Sequence, residues 1–591
     1  MRIEQTAWRG EVPRITPRAL PTNAAQDATN ARLQSGDLET WRQYVATHML
    51  ATPAPVETIY LLKDVWLSWG GDVAVARGPV PGDTTYRTIL AGPTVYSQPQ
   101  LTTYAMATAG PEPYPATTRP LGVPAPVQHD TGSDFQVSFT AIDPVVSSGD
   151  ELTTVTSYVY TYVNDIGQES APSLPDSAYH HSFTYVSFPI YAPTAGGSYN
   201  ALVLPIVPAG DAPYGIATAR IYRAATGSTG TAFRFVAEVA VSAVSTTLYN
   251  DHLVDSQLGE VLISSLWDLP PDDLQGVLAL PNGVMAGFSG NILCFSAQNY
   301  PHAWPVSYQL TTDTDIVGIG NIDTTVVVFT ESFTYLAIGT DPAAYSMTKL
   351  ETAHAGVSRR SIIPVLHVGV VGATPDGLLA VTGNGQVQNL TESIFTRRQW
   401  EALNPSSITA VEHDNIYFFA YDTGTVKGSF ALDGSQSGFG LVPLGSHFSA
   451  AYANPIEDRL YFVPDQITPV VDAMLPVADT SPTPNGHTIY EFDPATATSA
   501  MTYRYRGKLN LMPRPVAFHF CQVKALDYVN LVLRLYGDGT LIYERVIASK
   551  EPFTLPMSDQ YESFEFEVVG TSTVRTVRFG ETIDELDESN P

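Results

Sequence analysis

From Leu274 to about Asp493 the sequence repeats one unit, an apolar strand, a tight turn and a second apolar strand. The turns fall at Pro281-Asn282-Gly283, Ser289-Gly290-Asn291, Glu331-Ser332, Asp376-Gly377, Asn384-Gly385, Asp414-Asn415, Gly424 and Glu457-Asp458. Asn-Gly and Asp-Gly suit two-residue hairpins because both central positions need a positive φ. A spacing of roughly 40–50 residues per unit is that of a β-propeller, each blade a small meander. The stretch TIYLLKDVWLSWGGDVAVARGPV, broken at Lys63-Asp64 and Gly70-Gly71-Asp72, has the same rhythm. It is expected to supply the blade that closes the ring from the N-terminal side.

Composition agrees with many short strands. Charged residues make up only 15% of the chain, against about 25% in a typical domain. Thr, Val and Tyr favour pleated surfaces, and 44 Gly and 45 Pro punctuate turns. At 591 residues the chain exceeds a single core, since cores rarely grow beyond about 250–300 residues.

The expected class is all-β: a propeller with an inserted fibronectin III-like β-sandwich, a C-terminal β domain and a short helical or extended N-terminal arm. Residues 1–55 read as the arm and a helix. Arg9–Pro21 carries three prolines and is an extended arm. Asn23–Leu50, with Ala24, Ala25, Ala28 and Ala31 and few β-branched residues, is the one segment with helical character. Residues 56–130 hold the first propeller strands and then a Pro- and Thr-rich linker lying over the surface. Residues 131–262 form the sandwich, with a strand around Tyr158, Tyr160 and Tyr162 and a turn at Asn164-Asp165-Ile166-Gly167. The propeller occupies 263–500 and the C-terminal unit 501–580, with a hairpin at Gly537-Asp538-Gly539; 581–591 is an acidic, solvated tail.

The net charge of −29 repels nucleic acid, which excludes wrapping DNA by phosphate neutralisation. It suits a wall past which DNA slides, or simply solubility. The first 50 residues hold six arginines against five acids, so the other 541 residues carry −30. Cys294 and Cys521 match no metal or redox spacing and read as buried small apolar residues. The start lacks the apolar core of a signal peptide, and no apolar run approaches the roughly 18 residues of a membrane span. A soluble chain made in a cytoplasm is expected.

Candidate chemistry is sparse, and no catalytic, cofactor or metal residue is assigned. Gly318-Ile319-Gly320-Asn321 lacks the third glycine and Lys-Ser/Thr of a phosphate loop and reads as a strand-end turn. His180-His181 would face opposite sides of a strand. Asp313/Asp315 and Asp272-Asp273 read as solvated turns, not calcium loops. No Gly-x-Ser-x-Gly elbow places a nucleophilic serine. A propeller glycosidase or sialidase needs paired carboxylates or clustered arginines. Arg359-Arg360 and Arg397-Arg398 are the nearest candidates, but each adjacent pair reads as meeting a surface carboxylate or a neighbouring subunit.

Two stretches carry a family resemblance. PRITPRALPTNAAQDATNARLQSGDLETWR, residues 13–42, resembles the N-terminus of tail nozzle proteins (tail tubular protein B) of short-tailed bacteriophages. LPNGVMAGFSGNILCFSAQNYPHAWP with DIVGIGNIDTTVVVFTESFTYLAIG is similar to that family's strand pair, Asn-x-x-x-x-Ser segment and aromatic-Pro turn. Asn291, Ser296, Tyr300, Pro301, Trp304 and Pro305 match the layout. The resemblance implies no catalytic residue and no cofactor. It implies a homohexameric virion protein, made in the host cytoplasm, whose central channel passes phage DNA without specific binding. Its partners would be a tail adaptor above and fibre or needle proteins at the side or below. Arg9, Arg14, Arg18, Arg359, Arg360, Arg397 and Arg398 are then candidate assembly residues, and acids are expected to line the channel. An arm that orders on assembly predicts that removing residues 1–22 leaves a folded monomer unable to join virions. The inserted sandwich departs from the family pattern. A receptor- or carbohydrate-binding propeller is the alternative, and a propeller glycoside hydrolase the third reading.

Overall fold

The structure, a computed structural model, describes residues 2–126, 136–140, 152–175, 181–185, 199–227, 230–251, 253, 255–351, 354–433, 440–478, 480–556 and 559–586. Among the described residues seven antiparallel sheets follow one another in a ring. The first blade is Ala74–Arg77, Thr88–Ala91, Gln100–Thr102 and Arg119–Pro120; the second, third, fourth and fifth are meanders over 275–311, 316–349, 363–389 and 409–444. The sixth spans Ser446–Asn454, Arg459–Ile467 and Thr488–Phe492, and the hairpin Thr58–Leu62/Val65–Trp69 is the seventh. The inner strand of each blade touches the next from the first blade to the seventh. A shared core of Leu62, Leu67, Trp69, Val73 and Leu90 joins the seventh back to the first.

The ring is locked by a strand from far upstream. Val45–Met49 pairs antiparallel with Thr488–Phe492 as the outer strand of the sixth blade. The hairpin expected to close the ring from the N-terminal side does so, and the expected turns stand between the expected strands. Asp414 and Asn415 have φ of 53° and 61°, both in the left-handed region that a type I′ hairpin demands.

Asn23–Leu50 is not a helix, contrary to its alanine content. It holds the short strands Ala25–Asp27, Ala31–Arg32, Glu39–Thr40 and Val45–Met49. Ala24, Ala25, Ala28 and Ala31 are at most 2% exposed. They are small because the backbone there runs pressed between sheets; tertiary packing overrides a propensity worth only tenths of a kcal/mol per residue. Leu33, Leu38, Trp41 and Tyr44 join one core with Phe418, Phe462 and Phe492 of the fifth and sixth blades. Trp41 lies 5.2 Å from Phe492, and Tyr44 OH lies 2.7 Å from Ser446 Oγ.

The first residues are not a free arm. Arg2–Gln5 pairs with Val574–Gly580 at the edge of the C-terminal sandwich, and Ala25–Asp27 pairs with Tyr503–Gly507 in its other sheet. Trp8 is buried between them, 4.8 Å from Tyr505, with its indole N–H donating to Arg575 O at 3.1 Å. Removing 1–22 would therefore take an edge strand and a core tryptophan from a domain whose other strands, apart from Ala25–Asp27, lie beyond residue 500.

Two further boundaries move. The proline-rich 97–126 belongs to the first blade rather than to a surface linker. Leu101 and Leu121 are buried in its core, Val123 enters the core of the insert, and the prolines at 111–115 fill the excursion between paired strands. Residues 581–586 form a turn with Leu586 buried, so only 587–591 of the acidic tail lie outside the described residues. The insert presents a three-stranded sheet, Tyr158–Asn164, Ile216–Gly227 and Gly230–Ala240, and another of Gln136–Thr140, Tyr199–Leu204 and Thr247–Asp251. Tyr158, Tyr160, Tyr162, Leu202, Leu204 and Ile221 pack as one core, as a β-sandwich requires. No described helix is long and apolar enough to cross a membrane.

Candidate functional site

Inner strands of all seven blades converge on a central cavity of about 280 Å³. Close convergence is possible because the third blade's inner strand, Ile316–Ile322, carries Gly318 and Gly320. A Cβ on Gly320 would stand 2.6 Å from Val370 Cγ1. This segment is thus mid-strand, not a strand-end turn, and its glycines serve packing.

Into this channel the approach to the fourth blade sends Arg359 and Arg360. Arg359 Nε donates to Asp72 Oδ2 at 2.9 Å, and Nη2 donates to Oδ1, a bidentate pair. Arg360 Nη2 donates to the backbone oxygens of Glu57 at 2.5 Å and Ser449 at 2.6 Å. The Glu57 and Asp72 carboxylates each approach Arg360 to 4.0 Å. Burial lowers the Arg360 guanidinium from its ordinary range, with Asp72 and Glu57 opposing the shift. From the sequence this pair is expected to meet a surface carboxylate or a neighbouring subunit. Instead it meets internal carboxylates from the opposite side of the ring. The groups neutralise and saturate one another, so the cluster acts as a cross-brace closing the propeller's own axis.

The remaining arginines go elsewhere. Arg9 is exposed, its N–H donating to Asn23 O at 2.8 Å. Arg14 lies against the fourth blade's outer segment: its N–H donates to Ile394 O at 2.8 Å and its side chain to Glu392 O. Pro13 O accepts Gln399 Nε2 at 2.8 Å on the same seam. Arg397 pairs with Glu401 at 3.0 Å and Asp376 at 3.3 Å. Arg18 and Arg398 are exposed. The structure brings Arg14 into the neighbourhood of Arg397 and Arg398, and separates this group from Arg359 and Arg360.

A second concavity, about 370 Å³, opens where the N-terminal segment crosses the fifth and sixth blades. Arg32, Trp41, His413, Arg459, Glu491 and Asp493 line it. Asp493 accepts the Arg42 N–H at 2.7 Å and Arg32 Nη1 at 3.1 Å, yet burial raises its carboxyl above the usual range. Arg32 also lies over the Trp41 ring, 5.2 Å from its centroid. On the same segment, Glu11 N–H donates to Leu441 O at 2.7 Å, and its carboxylate accepts Ala28 N–H at 3.0 Å. Burial pushes this carboxyl up to about 8, and the neighbouring Asp27 adds to the shift.

The aromatic-Pro turn flagged in the sequence docks the insert. Trp304 Nε1 donates to Pro301 O at 3.0 Å, and Tyr300 packs on Trp267 with ring centroids 4.3 Å apart. His302 Nε2 lies 3.1 Å from Glu169 O of the sandwich, and burial drives its imidazole down to about 4. Ser296 Oγ accepts Met285 N–H at 2.8 Å and Asn291 Nδ2 donates to Thr312 O at 3.1 Å, so both brace the second blade.

Asp313 is paired with Lys349 at 2.6 Å, and Asp273 accepts Ser289 Oγ at 2.6 Å. His180 lies outside the described residues, and of His181 only its strand is described. Among the described residues no group of three or more His, Cys, Asp or Glu is placed to hold a metal. Both cysteines are buried and free, as expected; burial pushes the Cys294 thiol up to about 12. Asp72, Glu57, Glu11, Asp493 and His302 were not singled out in the sequence. Gly70-Gly71-Asp72 carried only a turn signal.

No family model matches the sequence, and no curated protein is similar to it. Among solved structures, the chain is similar to PorZ, a bacterial surface component of the type-IX secretion system of Porphyromonas gingivalis. The TM-score is 0.24 at 10% identity, over 94% of this chain and 95% of that one. The tricorn protease gives 0.21 at 11% identity over 82% of this chain and 51% of its own. The extracellular domain of BT4673 from B. thetaiotaomicron gives 0.17 at 8% identity, over 91% and 98%. At these scores the similarities carry no argument about what the chain does. The arrangement of the chain itself is a β-rich, propeller-like fold.

Proposed function

We propose that this chain is a structural subunit of a bacteriophage tail, building the nozzle ring through which DNA leaves the particle. The observation that carries the reading is where the family-like residues lie. Residues 13–42 buckle the propeller to the C-terminal sandwich, and 280–305 build the second blade and dock the insert. The resemblance thus falls on joints that fix the shape of the subunit. A propeller without open inner edges, braced across its axis, is a stiff block that can stand beside identical copies. In this reading DNA passes through the ring made by several copies, since the axis of each propeller is filled by Arg359 and Arg360.

The test is the purified full-length protein under native mass spectrometry and negative-stain microscopy. Closed rings of six copies are the expected result; trimers or a persistent monomer would overturn it. The concavity beside Trp41 favours a second reading, a receptor- or carbohydrate-binding propeller. Glycan-array binding that disappears in Arg459→Ala, a half-exposed residue of this concavity, in a chain that forms no rings, would favour that reading instead.

A further inference from the structure

Between Arg234 and Lys349 the chain contains no lysine or arginine, while residues 235–348 hold twelve Asp or Glu. This span comprises the last strands of the inserted sandwich, the return from it, the whole second blade and nearly all of the third. Glu238, Asp251 and Asp313 are paired with Arg220, Arg223 and Lys349, and Arg234 bridges to Val261, so the excess of negative charge in this sector rests on its other acids, Glu260, Asp268 and Asp272 among them.

The same sector carries an apolar strip. Within nine residues Val261, Ile263, Leu266 and Leu269 are all exposed, Ile263 and Leu266 by more than 60%. Val306 lies beside them, its N–H donating to Asp268 Oδ2 at 3.0 Å. The backbone here is an added edge on the sandwich sheet: Phe235 N–H donates to Glu260 O at 2.8 Å and Leu262 N–H to Phe233 O at 2.9 Å. Large aliphatics on an open sheet edge mark an interaction surface. Glu260, Asp268 and Asp272, all exposed, rim the strip.

Charge of the opposite sign sits in another sector. Arg9, Arg14, Arg18 and Arg398 are exposed, and the segment 13–15 rests on the outer edge of the fourth blade. We propose that the strip from Glu260 to Asp272 docks a second copy of this chain through that arginine-bearing face. The inference rests on the ring-forming reading and names the surfaces that would make the ring. A contact between two different patches is head-to-tail, the type that closes rings rather than two-fold dimers. The aliphatics supply desolvated area, while the charges set register and exclude like-charged faces.

Sedimentation velocity on the full-length chain tests this with charge reversals at exposed positions. Glu260→Lys with Asp272→Lys, and separately Arg18→Glu with Arg398→Glu, should each weaken association by about tenfold or more. Mixing the two variants should restore it, because each supplies the face that the other has reversed. Leu266→Asp should weaken assembly without a charge-matched rescue. Unchanged melting temperatures would show that each variant is folded; a variant that melts early is replaced by the corresponding neutral change, Glu260→Gln or Arg18→Gln, which should weaken assembly less. Rings indifferent to all of these changes would overturn the proposed surface and leave the ring reading standing. A wild-type chain that never associates would overturn both.

Discussion

Arg359 and Asp72 lie 287 residues apart in sequence and meet across the propeller's axis, with Arg359 Nε donating to Asp72 Oδ2 at 2.9 Å. The carboxylate comes from the link between the seventh and first blades, and the guanidinium from the approach to the fourth. One ion pair thus ties opposite sides of the ring. Asp72→Asn should leave two guanidiniums facing one distant carboxylate. The expected cost is about 2 kcal/mol, read as a lower urea midpoint at unchanged slope. Glu57→Gln should cost less, because the Glu57 carboxylate reaches Arg360 only at 4.0 Å. Equal effects of the two changes would contradict the brace.

Trp8 fills the core of the C-terminal sandwich at 2% exposure. Trp8→Ala should cost about 3–5 kcal/mol. Hydrogen exchange should rise throughout 501–580 while the third and fourth blades stay protected. A free N-terminal arm would give no such change.

Glu11 keeps its proton in the folded chain to about pH 8, whereas the unfolded chain sheds it near 4.5. The stability this group contributes is fully present below about pH 4.5 and is lost as pH rises through 8. The groups facing it are Asp27 from its own segment and Tyr421 from the fifth blade. Glu11→Gln keeps an acceptor for the Ala28 N–H and carries no charge. It should flatten the alkaline decline and raise stability at pH 8 by about 1–2 kcal/mol, measured by denaturant titration across pH.

His302 behaves in the opposite sense. Buried beside Arg87 and hydrogen-bonded to Glu169 O, it takes up a proton only near pH 4, against 6.5 when unfolded. Stability is therefore lost as pH falls from 6.5 towards 4. Hydrogen exchange in 164–170 should quicken over this window in the wild type, and His302→Gln should remove the pH dependence.

What could be read from the sequence was local. Asn282-Gly283 and Asp414-Asn415 announce hairpins because a positive φ is a requirement of the turn itself. Asn23–Leu50 misleads for the same reason. Alanine's helical propensity is visible in one segment, whereas the sheets that press on Ala28 and Ala31 come from beyond residue 400. The brace was invisible: Asp72 and Arg359 share no spacing, and only the closing of seven blades brings them together. Gly318 and Gly320 look alike whether they serve a turn or a crowded strand; the nearness of Val370 and Ile362 decides.

The strand that locks the ring also sets an order of events during synthesis. Thr47 Oγ1 donates to Ile489 O at 3.1 Å, a partner 442 residues later in the chain. At roughly 5–20 residues per second, Val45–Met49 leaves the ribosome about 20–90 s before Thr488–Phe492 exists. During that interval Val45–Met49 waits without its partner strand, and the nascent chain exposes an edge able to pair with other nascent chains. Expression yield should therefore depend on holding this one segment out of wrong pairings until translation is nearly complete.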